Sequence, residues 1–176
     1  MAAALVLIGA PGAGKTSVLE ALTTLLEIDA VEFGWIESEQ LSQGSPLLPA
    51  SRWIPQLEAL LALQRQAGRG LFLITATTEN ADELRAVREA TGTGRVLVVC
   101  LSAPAQVVAA RVAAREPDRW PGKQDLIAHA RDLARSIPEL GDIDLVIDTE
   151  TPRAEDVARQ IRDAMKAASL LDAART

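Results

Sequence analysis

Near its start the chain reads Gly9-Ala10-Pro11-Gly12-Ala13-Gly14-Lys15-Thr16, which satisfies every specified position of the pattern Gly-x-x-x-x-Gly-Lys-Ser/Thr. No other feature restricts the fold as tightly. The apolar run 4–8 before it reads as a buried strand, and Ser17-Val18-Leu19-Glu20-Ala21-Leu22 after it opens an amphipathic helix. A glycine-rich turn between strand and helix gathers backbone N–H groups at a helix N-terminus, which is a cradle for an anion. The glycines let the backbone wrap closely, Lys15 is placed to bridge two phosphates, and the Thr16 hydroxyl is placed to ligate magnesium. Chance produces the pattern in about one chain in a hundred of this length, or fewer. The loop therefore predicts binding of a nucleoside triphosphate through Gly9, Ala10, Pro11, Gly12, Ala13, Gly14, Lys15, Thr16 and Ser17, with Thr16 as metal ligand. It does not say what happens to the γ-phosphate.

The remainder of the chain supports an α/β class. Short apolar runs at 4–8, 31–36, 71–75, 96–101 and 143–147 alternate with segments of helical period at 15–26, 52–66, 79–90, 104–115, 123–137 and 153–171. Leu71-Phe72-Leu73-Ile74 and Val96-Leu97-Val98-Val99-Cys100-Leu101 do not alternate with polar residues, the mark of parallel strands covered on both faces. Asp82 and Glu83 suit the first turn of one helix, as Glu155 and Asp156 suit that of the last. Glycines at 68–70, 92–94 and 141 fall where helices hand over to strands and predict left-handed caps. Residues 42–55, with Gly44, Pro46, Pro49 and Pro55, predict an extended irregular loop, and the tail after Met165 a helix fraying to Thr176.

The length of 176 residues suits one domain over 1–176. A net charge of −6 disfavours nonspecific binding to nucleic acid or anionic membrane, and one cysteine and one histidine exclude a disulfide framework or a Cys/His metal site. No apolar run reaches the length of a membrane span, and no basic segment precedes the first strand, so a cytoplasmic protein is expected.

With the phosphate loop, Leu101-Ser102-Ala103-Pro104 leading to Arg111-Val112-Ala113-Ala114-Arg115, and the closing Asp144-Leu145-Val146-Ile147-Asp148-Thr149, the sequence resembles the small P-loop kinases of metabolites and nucleotides, such as gluconate, shikimate, adenylylsulfate and nucleoside monophosphate kinases. The resemblance implies a three-layer sandwich around a five-stranded parallel sheet in the order 2-3-1-4-5, and a lid over an acceptor pocket. It also implies that Arg111 stacks on adenine or clamps phosphate, that Arg115 or Arg119 stabilises charge during transfer, and that the 148–152 turn lies beside the base, although the same residues also read as an ordinary helix cap.

The residues themselves leave alternatives. Arg111 and Arg115 share a helix face, where like charges repel unless an anion joins them. The alternative is a solvated face paired to Glu116 or Asp118. Residues 116–123, broken by Pro117, Pro121 and Gly122, read as a lid, in which Trp120 either covers the site or packs the lid onto the body. An acceptor hydroxyl needs a carboxylate for positioning or proton removal, and magnesium an outer-sphere carboxylate besides Thr16; Glu37-Ser38-Glu39 at the end of the second strand supplies two candidates for these roles, Glu37 the better, and the alternative is a pair of surface carboxylates. Glu32 reads as strand surface. The third strand ends Thr75-Ala76-Thr77-Thr78 without the acid that would order metal and water in a dedicated ATPase, so Thr75 or Thr77 is a candidate lining residue. Arg85, Arg88 and His129 read as helix surface and Cys100 as an inert buried thiol. The expected activity is ATP- and magnesium-dependent phosphoryl transfer to a small metabolite or nucleotide. The rival readings are a slow nucleotide switch and a degenerate kinase that only binds ATP.

Overall fold

The computed structural model describes residues 2–174. Five strands, β1 (Ala3–Ile8), β2 (Gly34–Glu37), β3 (Leu71–Ala76), β4 (Val96–Ser102) and β5 (Leu145–Asp148), form one sheet. Its order is β2-β3-β1-β4-β5, and every neighbouring pair is parallel. The helices are α1 (Lys15–Ile28), α2 (Ser38–Ser42), α3 (Ala50–Gln66), α4 (Ala81–Ala90), α5 (Ala105–Arg115), α6 (Lys123–Ser136) and α7 (Ala154–Ala167).

The unbroken apolar character of β1 and β3 follows from burial on both faces, because each residue of both strands is buried. Side chains alternate between two cores. Leu5, Leu7, Leu71 and Leu73 pack against Leu22 and Leu26 of α1 and Ile161 and Met165 of α7. Ala4, Val6, Ile8, Phe72 and Ile74 pack on the other face against Leu57 and Leu61 of α3 and Leu84 and Val87 of α4. The chain thus leaves β1 toward one face and β3 toward the other. This divergence opens a crevice at their carboxyl ends, where open α/β sheets take their ligands. A third cluster, with Val108 and Val112 of α5 and Ile127 and Ala130 of α6, fastens these two helices to each other.

Several expected boundaries move. The second strand begins at Gly34 rather than 31, and Glu32 lies exposed in the segment before it, not on strand surface. The expected 42–55 loop shrinks to 43–49, because α2 precedes it and α3 already starts at Ala50, with Pro55 inside the helix. The third expected helix starts at Ala81, since the Asn80 side chain accepts from the Glu83 N–H at 2.9 Å and caps it there. Gly68 and Gly92 are left-handed as expected, but after α6 the left-handed residue is Asp142, not Gly141. The last helix stops at Ala167 instead of 171: Ser169 turns left-handed and Leu170 N–H closes onto the Met165 carbonyl at 2.9 Å. The end of the expected fraying tail, at Thr176, lies outside the described residues. No helix among the described residues is long and apolar enough to cross a membrane.

Candidate active site

The phosphate loop joins β1 to α1 at the crevice. Gly12 has φ +85°, and a Cβ there would lie 2.7 Å from the Val108 carbonyl oxygen, so α5 seats against bare backbone. Gly14, at φ +95°, is the residue from which α1 departs, a conformation that a side chain would strain. Lys15 follows as the first residue of α1 and is buried. Its ammonium donates to the carbonyl of Gly9 at 2.9 Å and to Thr77 Oγ1 at 2.9 Å, and it lies 3.2 Å from Glu39 Oε1.

The two candidate carboxylates serve different neighbours. Glu37, the last residue of β2, accepts from Thr16 Oγ1 at 2.9 Å through Oε1 and from the Gln40 amide at 3.1 Å through Oε2. Glu39 is carried by α2 across the end of β3, where it accepts from Thr77 Oγ1 at 3.0 Å and meets Thr75 Oγ1 at 3.4 Å. The carboxylate missing from the third strand is thus supplied at that strand's end by a neighbouring helix. Burial pushes the Lys15 ammonium below its usual value, against the pull of Glu39. Burial pushes the Glu39 carboxyl upward, but the Lys15 charge and hydrogen bonds from backbone, Lys15 and Thr77 outweigh it and hold the group below the usual range.

On the other side of the loop, Arg111 spans two carbonyls, donating to Thr149 O at 2.7 Å and to Gly12 O at 3.3 Å. Thr149, buried at the end of β5, donates its hydroxyl to the Ala13 carbonyl at 2.8 Å. The phosphate loop is thereby tied to the β5–α7 turn. Ala13, Gly14, Ser17, Val18, Arg111, Thr149 and Pro152 form the walls of an open groove of mixed polar and apolar lining between them. The family resemblance points to the 148–152 turn, but nothing local in the sequence marks the Thr149 hydroxyl as a tie to Ala13.

The remaining arginines stand apart from the groove. Arg115 pairs with Glu116 at 2.7 Å, the alternative pairing that the sequence left open. Arg119 is exposed, and among the described residues no hydrogen bond or ion pair holds it. The segment between α5 and α6 is gathered by Lys123, whose buried ammonium donates to Glu116 O at 2.8 Å and Asp118 Oδ1 at 2.7 Å. Trp120 lies over Gly122, where a Cβ would come within 2.6 Å of the indole, and remains half exposed. Arg85 pairs with Asp82 and His129 with Glu79, both on the surface as expected. Cys100 is fully buried, and burial pushes its thiol up to about 11.

Magnesium fits this donor set. Thr16 and Glu37 bring two hard oxygen donors together, while no group of three or more His, Cys, Asp or Glu among the described residues forms a cage. A cation that keeps waters and takes phosphate oxygens needs no more protein than this.

Comparison with known proteins agrees with the fold. A family model described as an AAA domain matches residues 5–138. No curated protein matches the chain. Among solved structures, a sugar kinase from Janibacter sp. HTCC2649 superposes with a TM-score of 0.65 at 20% identity, over 96% of this chain and 98% of that one. The APS kinase of Mycobacterium tuberculosis, solved with AMPPNP and APS, gives a TM-score of 0.65 at 16% identity over 94% and 98%. A gluconokinase from Sinorhizobium meliloti 1021 gives 0.60 at 20% over 95% and 97%. The chain shares the fold of small P-loop kinases, as its sequence led one to expect.

Proposed function

The chain belongs to the AAA domain family, and from that membership and the site's geometry we propose that it is an ATP- and magnesium-dependent phosphotransferase acting on the hydroxyl of a small metabolite or nucleotide. The observation that carries the reading is the meeting of Lys15, Thr77 and Glu39 at the end of β3, with Thr16 and Glu37 beside them. A lysine ammonium suited to phosphate, two hard oxygens suited to magnesium and a second carboxylate lie together there, which supports the reading.

Gly9–Thr16 holds the triphosphate by its backbone amides, and the groove walled by Arg111 takes the base. Thr16 and Glu37 would hold magnesium, which would supply positive charge against the phosphates. Glu39 receives the acceptor's hydroxyl proton; the acceptor oxygen bonds to the γ-phosphorus as the bond to the β–γ bridging oxygen breaks, and ADP leaves with that electron pair. Residues 116–123 form the lid, with Arg115 and Arg119 on the transferring group, which requires Arg115 to leave Glu116 on closure. Positioning and fixed charge supply the rate.

The test is ADP release from ATP and magnesium against separate pools of sugars, hydroxy acids, nucleosides and nucleotides, with Lys15→Ala as blank. A Lys15-dependent rise with one pool is expected. ATP that stabilises the fold while no pool raises ADP release would favour a switch or a binding-only relic.

A further inference from the structure

The Lys15 ammonium has three protons, and each has a partner within the chain: Gly9 O at 2.9 Å, Thr77 Oγ1 at 2.9 Å and Glu39 Oε1 at 3.2 Å. Two of these partners are neutral and sit on the walls of the crevice. The third is an anion, and it comes from α2, a helix of only five residues. A phosphate oxygen arriving at Lys15 would meet the Glu39 carboxylate at contact distance, and two anions cannot share the same ammonium proton without strong repulsion in a partly buried site.

We propose that Glu39 occupies the phosphate's place on Lys15 in the resting protein, so that ATP must displace it, and that the displaced carboxylate becomes available to the acceptor only then. The regulation lies in the site itself and imposes a nucleotide-first order. Displacement does not expel Glu39, because the Thr77 and Thr75 hydroxyls at 3.0 and 3.4 Å still offer it donors at the end of β3. The same short helix is held at its start by Glu37, which Thr16 and Gln40 engage. Metal binding at Thr16 and Glu37 and release of Glu39 from Lys15 therefore act on the same short turn of chain, so filling the first site favours emptying the second.

The inference rests on Lys15 taking nucleotide phosphate, as proposed above, and its test needs no acceptor. Binding of ATP with magnesium, and of AMP, is measured by calorimetry for the wild type, Glu39→Gln and Glu39→Asp. The amide keeps a partner for Thr77 but not the charge, and the shorter acid cannot span to Lys15. Both variants, checked for folding by circular dichroism, are expected to bind ATP about fivefold to tenfold more tightly, the scale of one partly buried ion pair, with AMP affinity unchanged. ATP affinity that is unchanged or weaker in either folded variant, or AMP affinity rising in parallel, overturns the proposal and leaves the kinase reading standing. A wild type that binds no ATP overturns both.

Discussion

The Thr16 hydroxyl donates to Glu37 Oε1 across 2.9 Å, joining the start of α1 to the end of β2 over 21 residues of sequence. Each oxygen is a hard donor at the carboxyl edge of the sheet, and neither position alone distinguishes a metal site from a surface contact. Glu37→Ala is therefore expected to raise the magnesium concentration giving half-maximal turnover by about tenfold, with ATP affinity in the absence of metal little changed. Magnesium titration of ADP release checks this, and an unshifted midpoint would place the metal elsewhere.

Removing the Lys15 ammonium takes away the one buried cation in the loop and leaves Glu39 without its charge partner. Lys15→Ala should lose turnover by about a thousandfold or more, the scale attached to a charge acting on a transferring phosphoryl group. It should also lose most of the thermal protection that ATP gives the wild type. Acceptor-dependent ADP release and ATP-dependent melting, measured side by side, separate loss of chemistry from loss of binding.

Thr149 connects β5 to the phosphate loop through a buried hydroxyl at 2.8 Å from Ala13 O. Thr149→Val keeps the shape and leaves that carbonyl one donor short, which should cost about 1–2 kcal/mol of stability. Because the same turn walls the groove, ATP affinity should fall too, while Thr149→Ser should restore both. Urea unfolding and nucleotide titration of the two variants test the link.

Lys123 gathers the ends of the segment that carries Arg119 and Trp120. Lys123→Met should free that segment, so that trypsin cleaves after Arg119 several times faster and Trp120 emission shifts toward that of exposed indole. A cleavage rate equal to that of wild type would show that the segment holds its form by other means.

The Cys100 thiol, raised to about 11 by burial in β4, is protonated and shielded at neutral pH. It should react with a thiol reagent only through opening of the sheet, at a rate that mild denaturant increases. Its folded value lies above the thiol's ordinary value of 9.0, so it favours the folded state below that pH and this contribution is lost as pH climbs toward 11.

The sequence alone determined what depends on local spacing. The eight residues Gly9 to Thr16 specify a strand, a tight turn and a helix N-terminus by their own backbone demands, and unbroken apolar runs such as 71–74 specify strands covered on both faces. Local chemistry was less informative where a cap or a neighbour sets the boundary: the Asn80 side chain moves the start of α4, and Ser169 ends α7. Only the tertiary structure decided which charges meet. Glu37 and Glu39 are two residues apart and look equivalent in sequence, yet the turn from β2 into α2 sends one to Thr16 and the other to Lys15 and Thr77. Arg111 and Arg115 share a helix, yet one is held by the carbonyls of Gly12 and Thr149 and the other by Glu116. Such partners lie tens of residues away along the chain. Electrostatic contact depends on distance in space, which is set by how β1, β3 and β5 align in the sheet and not by any local pattern.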